Sequence, residues 1–206
     1  MDINLKFRRQ YLLTHVICKS LQHWEYKPFG FFIIYTHPDI DLNIVETNKN
    51  DLKLALIGYM LDPNHPDKSN IEILNDMSSS VNSLDDISEY LYNITGRFGL
   101  LVNSPTDTFI FHDPCGLRAV FYAKHEGKVY IGSQPLILES VIPLKKGEIF
   151  YSYQKSTYKK NNIEHWIPSG HSLYDNIYHL VPNHYLQCST FEQKRYWPKK
   201  GYKTLN

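Results

Sequence analysis

The chain has 206 residues, 42% hydrophobic and 21% charged, with a formal net charge of +1. That is enough chain for one large domain or two small ones, enough apolar surface for a core, and too even a charge balance for a basic nucleic-acid face. No stretch approaches the ~18 apolar residues of a membrane span, and the opening MDINLKFRRQ lacks the apolar centre of a signal peptide. Three scattered cysteines, Cys18, Cys115 and Cys188, are odd in number and give no disulfide framework, so a reducing cytoplasm is the expected compartment. The sequon Asn93-Ile94-Thr95 then reads as chance. The aromatic load is heavy, with 16 Tyr, 10 Phe and 3 Trp.

In chain order the first elements are strands. LKFRRQYLLTHVI (5–17) alternates in part and then turns apolar. GFFIIYTHP (30–38) and DLKLALIGYML (51–61) are short apolar runs that close at prolines. Their length and flanking breakers favour buried strands over helices. DPNHPDKSN (62–70) is turn chemistry, in which Ser69 or Asn70 can cap a helix beginning with IEILNDM. Ser83, with Asp86 three positions on, starts a second helix that puts Leu84, Ile87, Leu91 and Ile94 on one face.

The period then shortens. GRFGLLVN (96–103), DTFIFHD (107–113), RAVFYAKH (118–125) and KVYIGS (128–133) read as four strands of an antiparallel meander. SQPLILESV (133–141) reads as one short helix, and the Tyr-rich stretch after Lys145 takes no assignment. Segments 173–189 and 193–198 read as edge strands and turns, and the tail 199–206 as polar and loose. Strands, two helices, then more strands predict an α+β layered fold over residues 1–198.

Three motifs in this order carry a family resemblance. They are Gly96-Arg97-Phe98 after a helix, Asp113-Pro114-Cys115-Gly116-Leu117-Arg118 followed by Phe121-Tyr122, and Gly132-Ser133-Gln134 before a helix. With Trp166-x-Pro168-x-Gly170, Leu180-x-Pro182-Asn183-His184-Tyr185 and Arg195-Tyr196-Trp197-Pro198, they resemble the glutaminase domain of asparagine synthetase-like proteins. These are class II glutamine amidotransferases with an N-terminal-nucleophile fold. The resemblance implies a four-layer αββα sandwich of antiparallel sheets, with Gly96, Arg97, Asp113, Gly116, Arg118, Tyr122 and Ser133 as fold-signature residues.

The same resemblance predicts a degenerate pocket. Active members use a cysteine at residue one, whose own α-amine is the base, whereas here the first strand is internal and Cys18 lies at its far end. The family's oxyanion Asn-Gly falls on Ile57-Gly58, followed by Tyr59, and isoleucine has no donor. Removing one such donor typically costs ~100-fold or more. The aspartate that holds the substrate amine falls on Asn70, in Ser69-Asn70-Ile71-Glu72. The arginine for the substrate carboxylate has no match in Tyr35-Thr36-His37-Pro38-Asp39. No catalytic residue is therefore assigned.

His112, Asp113 and Cys115 form a tempting cluster, but Asp and Gly at this spacing make a turn: Asp113 can accept turn amides and pair with Arg118, and Gly116 supplies unusual backbone angles. His37, His65, His171, His179 and His184 are too spread for a metal site, and Lys145-Lys146 and Lys159-Lys160 read as a solvated basic edge. No cofactor is expected. The expected function is a non-catalytic glutaminase-like domain that braces or partners an ATP-pyrophosphatase-type synthetase domain or subunit, whose S-G-G-x-D-S loop this chain lacks. The alternative is an active glutamine amidotransferase supplying ammonia. A sugar- or peptide-binding protein is a third reading, resting on the aromatic content alone.

Overall fold

The computed structural model describes residues 6–46, 51–161, 167 and 170–198. They form two compact units, each built from two pieces of chain: Met1–Ile40 with Ala119–Val181, and Asp41–Arg118 with Pro182–Asn206. Each unit holds one six-stranded, antiparallel sheet with helices. The predicted tail 199–206, and Trp166 and Pro168 of the sequence motif, lie outside the described residues.

In the first unit the strands are β1 (Tyr11–Thr14), β2 (Glu25–Phe29), β3 (Phe32–Thr36), β8 (Phe121–His125), β9 (Lys128–Gly132) and β10 (Ile177–His179), in sheet order β10-β8-β9-β1-β3-β2. β1 is far shorter than the predicted 5–17. Phe7 and Arg9 take positive φ angles of 56° and 57°, and the Gln10 amide donates to the Phe7 carbonyl, so a tight turn stops the strand from starting earlier. All four β1 residues are buried, which is why the run does not alternate. β2 was not predicted. It is exposed at four of five positions and contains Pro28, and an edge strand is where a missing N–H is tolerated. The short helix α3 (Pro135–Leu138) appears where expected and packs Ile137 and Leu138 with Leu12, Trp24, Tyr35 and Tyr130.

The second unit holds β4 (Leu42–Glu46), β5 (Lys53–Leu61), β6 (Thr95–Asn103), β7 (Thr108–His112), β11 (His184–Gln187) and β12 (Glu192–Arg195), in sheet order β12-β11-β7-β6-β5-β4. Helices α1 (Asn70–Ser80) and α2 (Leu84–Tyr90) cover one face. Leu54, Leu56 and Met60 of β5 point to that face and meet Ile73, Leu74 and Met77 of α1. Both helix starts are capped as the sequence suggests. The Ser69 amide and hydroxyl donate to the Glu72 carboxylate at 2.8 and 2.6 Å, and the Asp86 amide donates to Ser83 Oγ at 3.2 Å. Those two bonds from Ser69 hold the Glu72 carboxyl below the usual range. In the turn before α1, a side-chain hydrogen bond with His65 does the same for Asp62.

The expected four-stranded meander is instead two hairpins in different sheets. β6 pairs with β7 and β8 with β9, and no ladder joins β7 to β8. Asp113–Arg118 is therefore a crossover, although its Asp-Pro-Cys-Gly composition looks like a hairpin turn. A second correction concerns β11, predicted as an edge strand: it lies between β12 and β7, whereas β10 and β12 are edges as predicted. Two helices were also missed, α4 (Glu148–Lys155) and α5 (Thr157–Asn161). Neither has a buried residue; α4 is amphipathic, but it is short and two of its four apolar positions are tyrosines in a polar stretch.

Candidate functional site

The pocket positions singled out in the second unit cluster at one end of β5. Ile57 is fully buried and pairs with Leu42 on one side and Gly99 on the other. Its side chain offers hydrocarbon only. Gly58 has φ +101°, and a Cβ there would sit 2.4 Å from the Arg97 carbonyl oxygen, with the Arg118 guanidinium 3.1–3.3 Å away. Tyr59 is half exposed and lies opposite Arg97, whose Nε donates to the Leu117 carbonyl at 3.0 Å.

Asn70 closes this end of the sheet. β4 pairs with β5 no further than Ile57, and the Gly58 amide makes one more bond, to Asp41 O. Beyond that point β5 would show a bare edge. The Asn70 amide fills it: Nδ2 donates to the Gly58 carbonyl at 3.1 Å, and Oδ1 accepts from the Met60 amide at 3.0 Å. A primary amide has one donor end and one acceptor end, as a strand backbone does, so it continues the ladder. An aspartate could serve Met60 but not Gly58.

An analogous closure occurs in the first unit. Tyr11 opens β1, and its amide donates to Ser133 Oγ at 3.0 Å. The Ser133 hydroxyl and amide in turn donate to the Tyr11 carbonyl at 3.2 and 3.1 Å. Tyr11 is buried, and its phenol donates to the Ala119 carbonyl at 2.9 Å. Gln10 continues the pairing, its carbonyl accepting from the His37 amide. The nitrogen that begins the first core strand is thus a hydrogen-bonded peptide amide with no lone pair to act as a base. Tyr122, a signature position, pairs with Ile131 and Tyr178 within the same sheet. In the stretch around His37, Nδ1 accepts from the Asp39 amide, and Arg8 forms an ion pair with Asp39 that keeps the Asp39 carboxyl low.

In the His112-Asp113-Cys115 cluster, Asp113 builds the turn. The Asp113 carboxylate accepts the Leu117 and Arg118 amides at 2.9 and 2.8 Å, meeting Arg118 through its backbone, and Gly116 takes φ 67°. His112 is fully buried, and its carbonyl accepts the Tyr196 phenol at 2.9 Å. Burial pushes the Tyr196 phenol up from its ordinary value. Of the thiols, Cys115 is exposed, Cys18 is buried beside Ser20 Oγ at 3.2 Å, and burial pushes Cys188 well above the ordinary thiol range. A thiol-disulfide reagent at neutral pH should therefore titrate one thiol of the native chain, lost in Cys115→Ala, and all three in denaturant. Among the described residues no group of three or more His, Cys, Asp or Glu side chains converges to hold a metal ion, and no helix is long and apolar enough to cross a membrane.

No family model matches the sequence, and no curated protein matches it. Solved structures do. The glutamine phosphoribosylpyrophosphate amidotransferase from B. subtilis, complexed with ADP and GMP, superposes with a TM-score of 0.52 at 13% identity over 92% of this chain. The allosteric regulatory enzyme of purine biosynthesis does so with a TM-score of 0.53, also at 13% identity, over 96% of it. The fold is that of a glutamine amidotransferase domain. At this identity the likeness is one of fold, and this chain spans 43% and 46% of those two chains. The two antiparallel sheets with helices agree with the α+β class read from the sequence. What sequence reasoning missed in this amidotransferase fold is Tyr11. Nothing marks a tyrosine within an apolar run, and its partner Ser133 lies 122 residues away.

Proposed function

We propose that this chain is a glutaminase-fold domain, related to those of asparagine synthetase-like proteins, that does not hydrolyse glutamine. Its role is to brace or partner an ATP-dependent, amide-forming synthetase domain or subunit. The observation that carries the proposal is the Asn70 bridge. In the family the resemblance points to, an acid at this position holds the substrate ammonium. Here an amide stands in its place and is spent on Gly58 and Met60 of its own sheet. The hydrocarbon of Ile57 and the amide nitrogen of Tyr11 support the same reading, since one cannot donate to an oxyanion and the other cannot accept a proton.

The test combines intact mass with a coupled glutamate assay. A chain that still carries the residues before Tyr11 should release glutamate from glutamine no faster than buffer does. Glutamate release by that unprocessed chain would overturn the proposal, and so would release by a form trimmed to a new N-terminus. For the partner role, an adenylating synthetase bearing the S-G-G-x-D-S loop, encoded beside this chain, should co-elute with it. Failure to do so would remove the bracing role and leave the catalytic question untouched.

A further inference from the structure

α4 and α5 lie in the first unit, outside everything the glutaminase reading uses. A helix in a folded domain normally hides an apolar stripe, yet neither of these has a buried residue. Glu148, Ile149, Ser152 and Tyr153 of α4 line an open hollow of about 520 Å³ together with Tyr158 of α5 and His171. A second hollow of about 300 Å³ also reaches His171 and is walled by Phe121, Leu173, Tyr174 and His179. Both volumes fall in the range of ligand sites. The Tyr153 hydroxyl, in the wall of the larger hollow, is shut off from solvent and has no hydrogen-bond partner among the described residues. Ile149, Tyr151 and Tyr158 are each 40% exposed or more.

The charge here is as lopsided as the packing. Residues 145–161 hold five lysines (Lys145, Lys146, Lys155, Lys159 and Lys160), one acid (Glu148) and no arginine, in a chain whose net charge is +1. Lys146 lies over the Phe150 ring at 4.5 Å, and Lys159 bonds to Gln154; neither has an acidic partner among the described residues. The cations are spread along two helices and the loop before them, a length suited to a chain rather than to a small molecule. The lysines offer point charges and not the planar fork of bidentate recognition, and the net charge of +1 over the whole chain disfavours a nucleic-acid face. We propose that the α4–α5 face is a docking surface for an acidic peptide segment of a partner protein, with an apolar or aromatic side chain entering the hollow beside Tyr153 and His171 and carboxylates meeting the lysines.

This inference does not rest on the glutaminase site being inactive. The test is fluorescence anisotropy with the full chain and a labelled peptide of alternating Glu-Leu and Asp-Phe pairs. The comparison probes are the same peptide with Lys for its acids, the same peptide with Ser for its apolar residues, and a labelled oligo-dT. The acidic–apolar peptide should bind, weaken with added salt, and lose about tenfold or more on combined Lys155→Glu, Lys159→Glu and Lys160→Glu substitution. Tyr158→Ala and Ile149→Ser should each weaken it several-fold. All five side chains lie on the surface, and an unchanged circular dichroism spectrum and melting temperature would show that the variants still fold. Oligo-dT binding more tightly than the peptide would overturn the proposal in favour of a nucleic-acid face. So would an acidic–apolar peptide that fails to bind at millimolar concentration, or one indifferent to Tyr158→Ala and Ile149→Ser.

Discussion

Gly58→Ala should destabilise the protein by at least about 3 kcal/mol, a fall of roughly 6–12 °C in melting temperature for a chain of this size. Two costs add. The φ of +101° is one that a residue with a Cβ rarely adopts, and the added carbon would sit 2.4 Å from the Arg97 carbonyl oxygen. That oxygen belongs to the strand paired with β5, so it can move only by breaking the register Gly58↔Phe98 and Tyr59↔Arg97. Arg118 is the smaller obstacle, because a guanidinium can swing by a few tenths of an ångström. Gly127→Ala is the control. That residue also has positive φ, at +77°, but a Cβ there meets nothing within 4 Å, so only the backbone strain of about 1 kcal/mol should appear. Thermal unfolding of both variants measures the difference. Equal losses would show that β5 and β6 are not held tightly at Gly58.

The elements legible in the sequence were those whose stabilisation is local. Ser69 and Glu72 sit three apart and meet at the start of α1, and Ser83 and Asp86 do the same for α2. β5 was legible because seven apolar residues, interrupted by Gly58 alone and lying between breakers, fit little else. The elements that escaped are defined by distant partners or by exposure. β2 is polar and carries a proline because it is an edge, and α4 is a short, Tyr-rich helix that buries nothing. The Asp113–Arg118 link shows the limit of turn chemistry. Six residues that fold back on themselves through the Asp113 carboxylate look the same whether the next strand joins the old sheet or a new one.

The site was legible as a pattern of substitutions, and its closure was not. The expectation at Ile57 and Asn70 came from residue types alone. That Asn70 then acts as a surrogate strand, and that Ser133 ties down the Tyr11 amide, depends on tertiary placement. The two closures share one logic. Each lies where a ladder ends, and each uses a side chain with both a donor and an acceptor to satisfy backbone groups that a binding site would leave open. Likeness of fold in such a case identifies the frame, while hydrogen-bond accounting asks whether the frame still has vacancies for a substrate.

Restoring the acid separates these ideas. Asn70→Asp should destabilise the protein by about 2–3 kcal/mol at neutral pH instead of repairing a glutamine site. The new carboxylate keeps an acceptor for the Met60 amide, but it loses the N–H that now meets the Gly58 carbonyl at 3.1 Å and puts negative charge against that oxygen. Protonation would supply the missing donor, so the introduced carboxyl should have a raised pKa in the folded state. A raised acid pKa means that the folded form binds the proton more tightly than the unfolded form does. The deficit should therefore be largest at neutral pH and shrink as the pH falls through the carboxyl's folded pKa. Asn70→Ala, which removes both bonds and adds no charge, should show a loss that does not depend on pH in this way. Urea unfolding of the three proteins from neutral to mildly acid pH measures this directly. If Asn70→Asp proved as stable as the parent at neutral pH, and glutamine raised its melting temperature, the carboxylate would have found an ammonium to hold. The pocket at Gly58 would then be an open substrate site and not the sealed sheet edge described above.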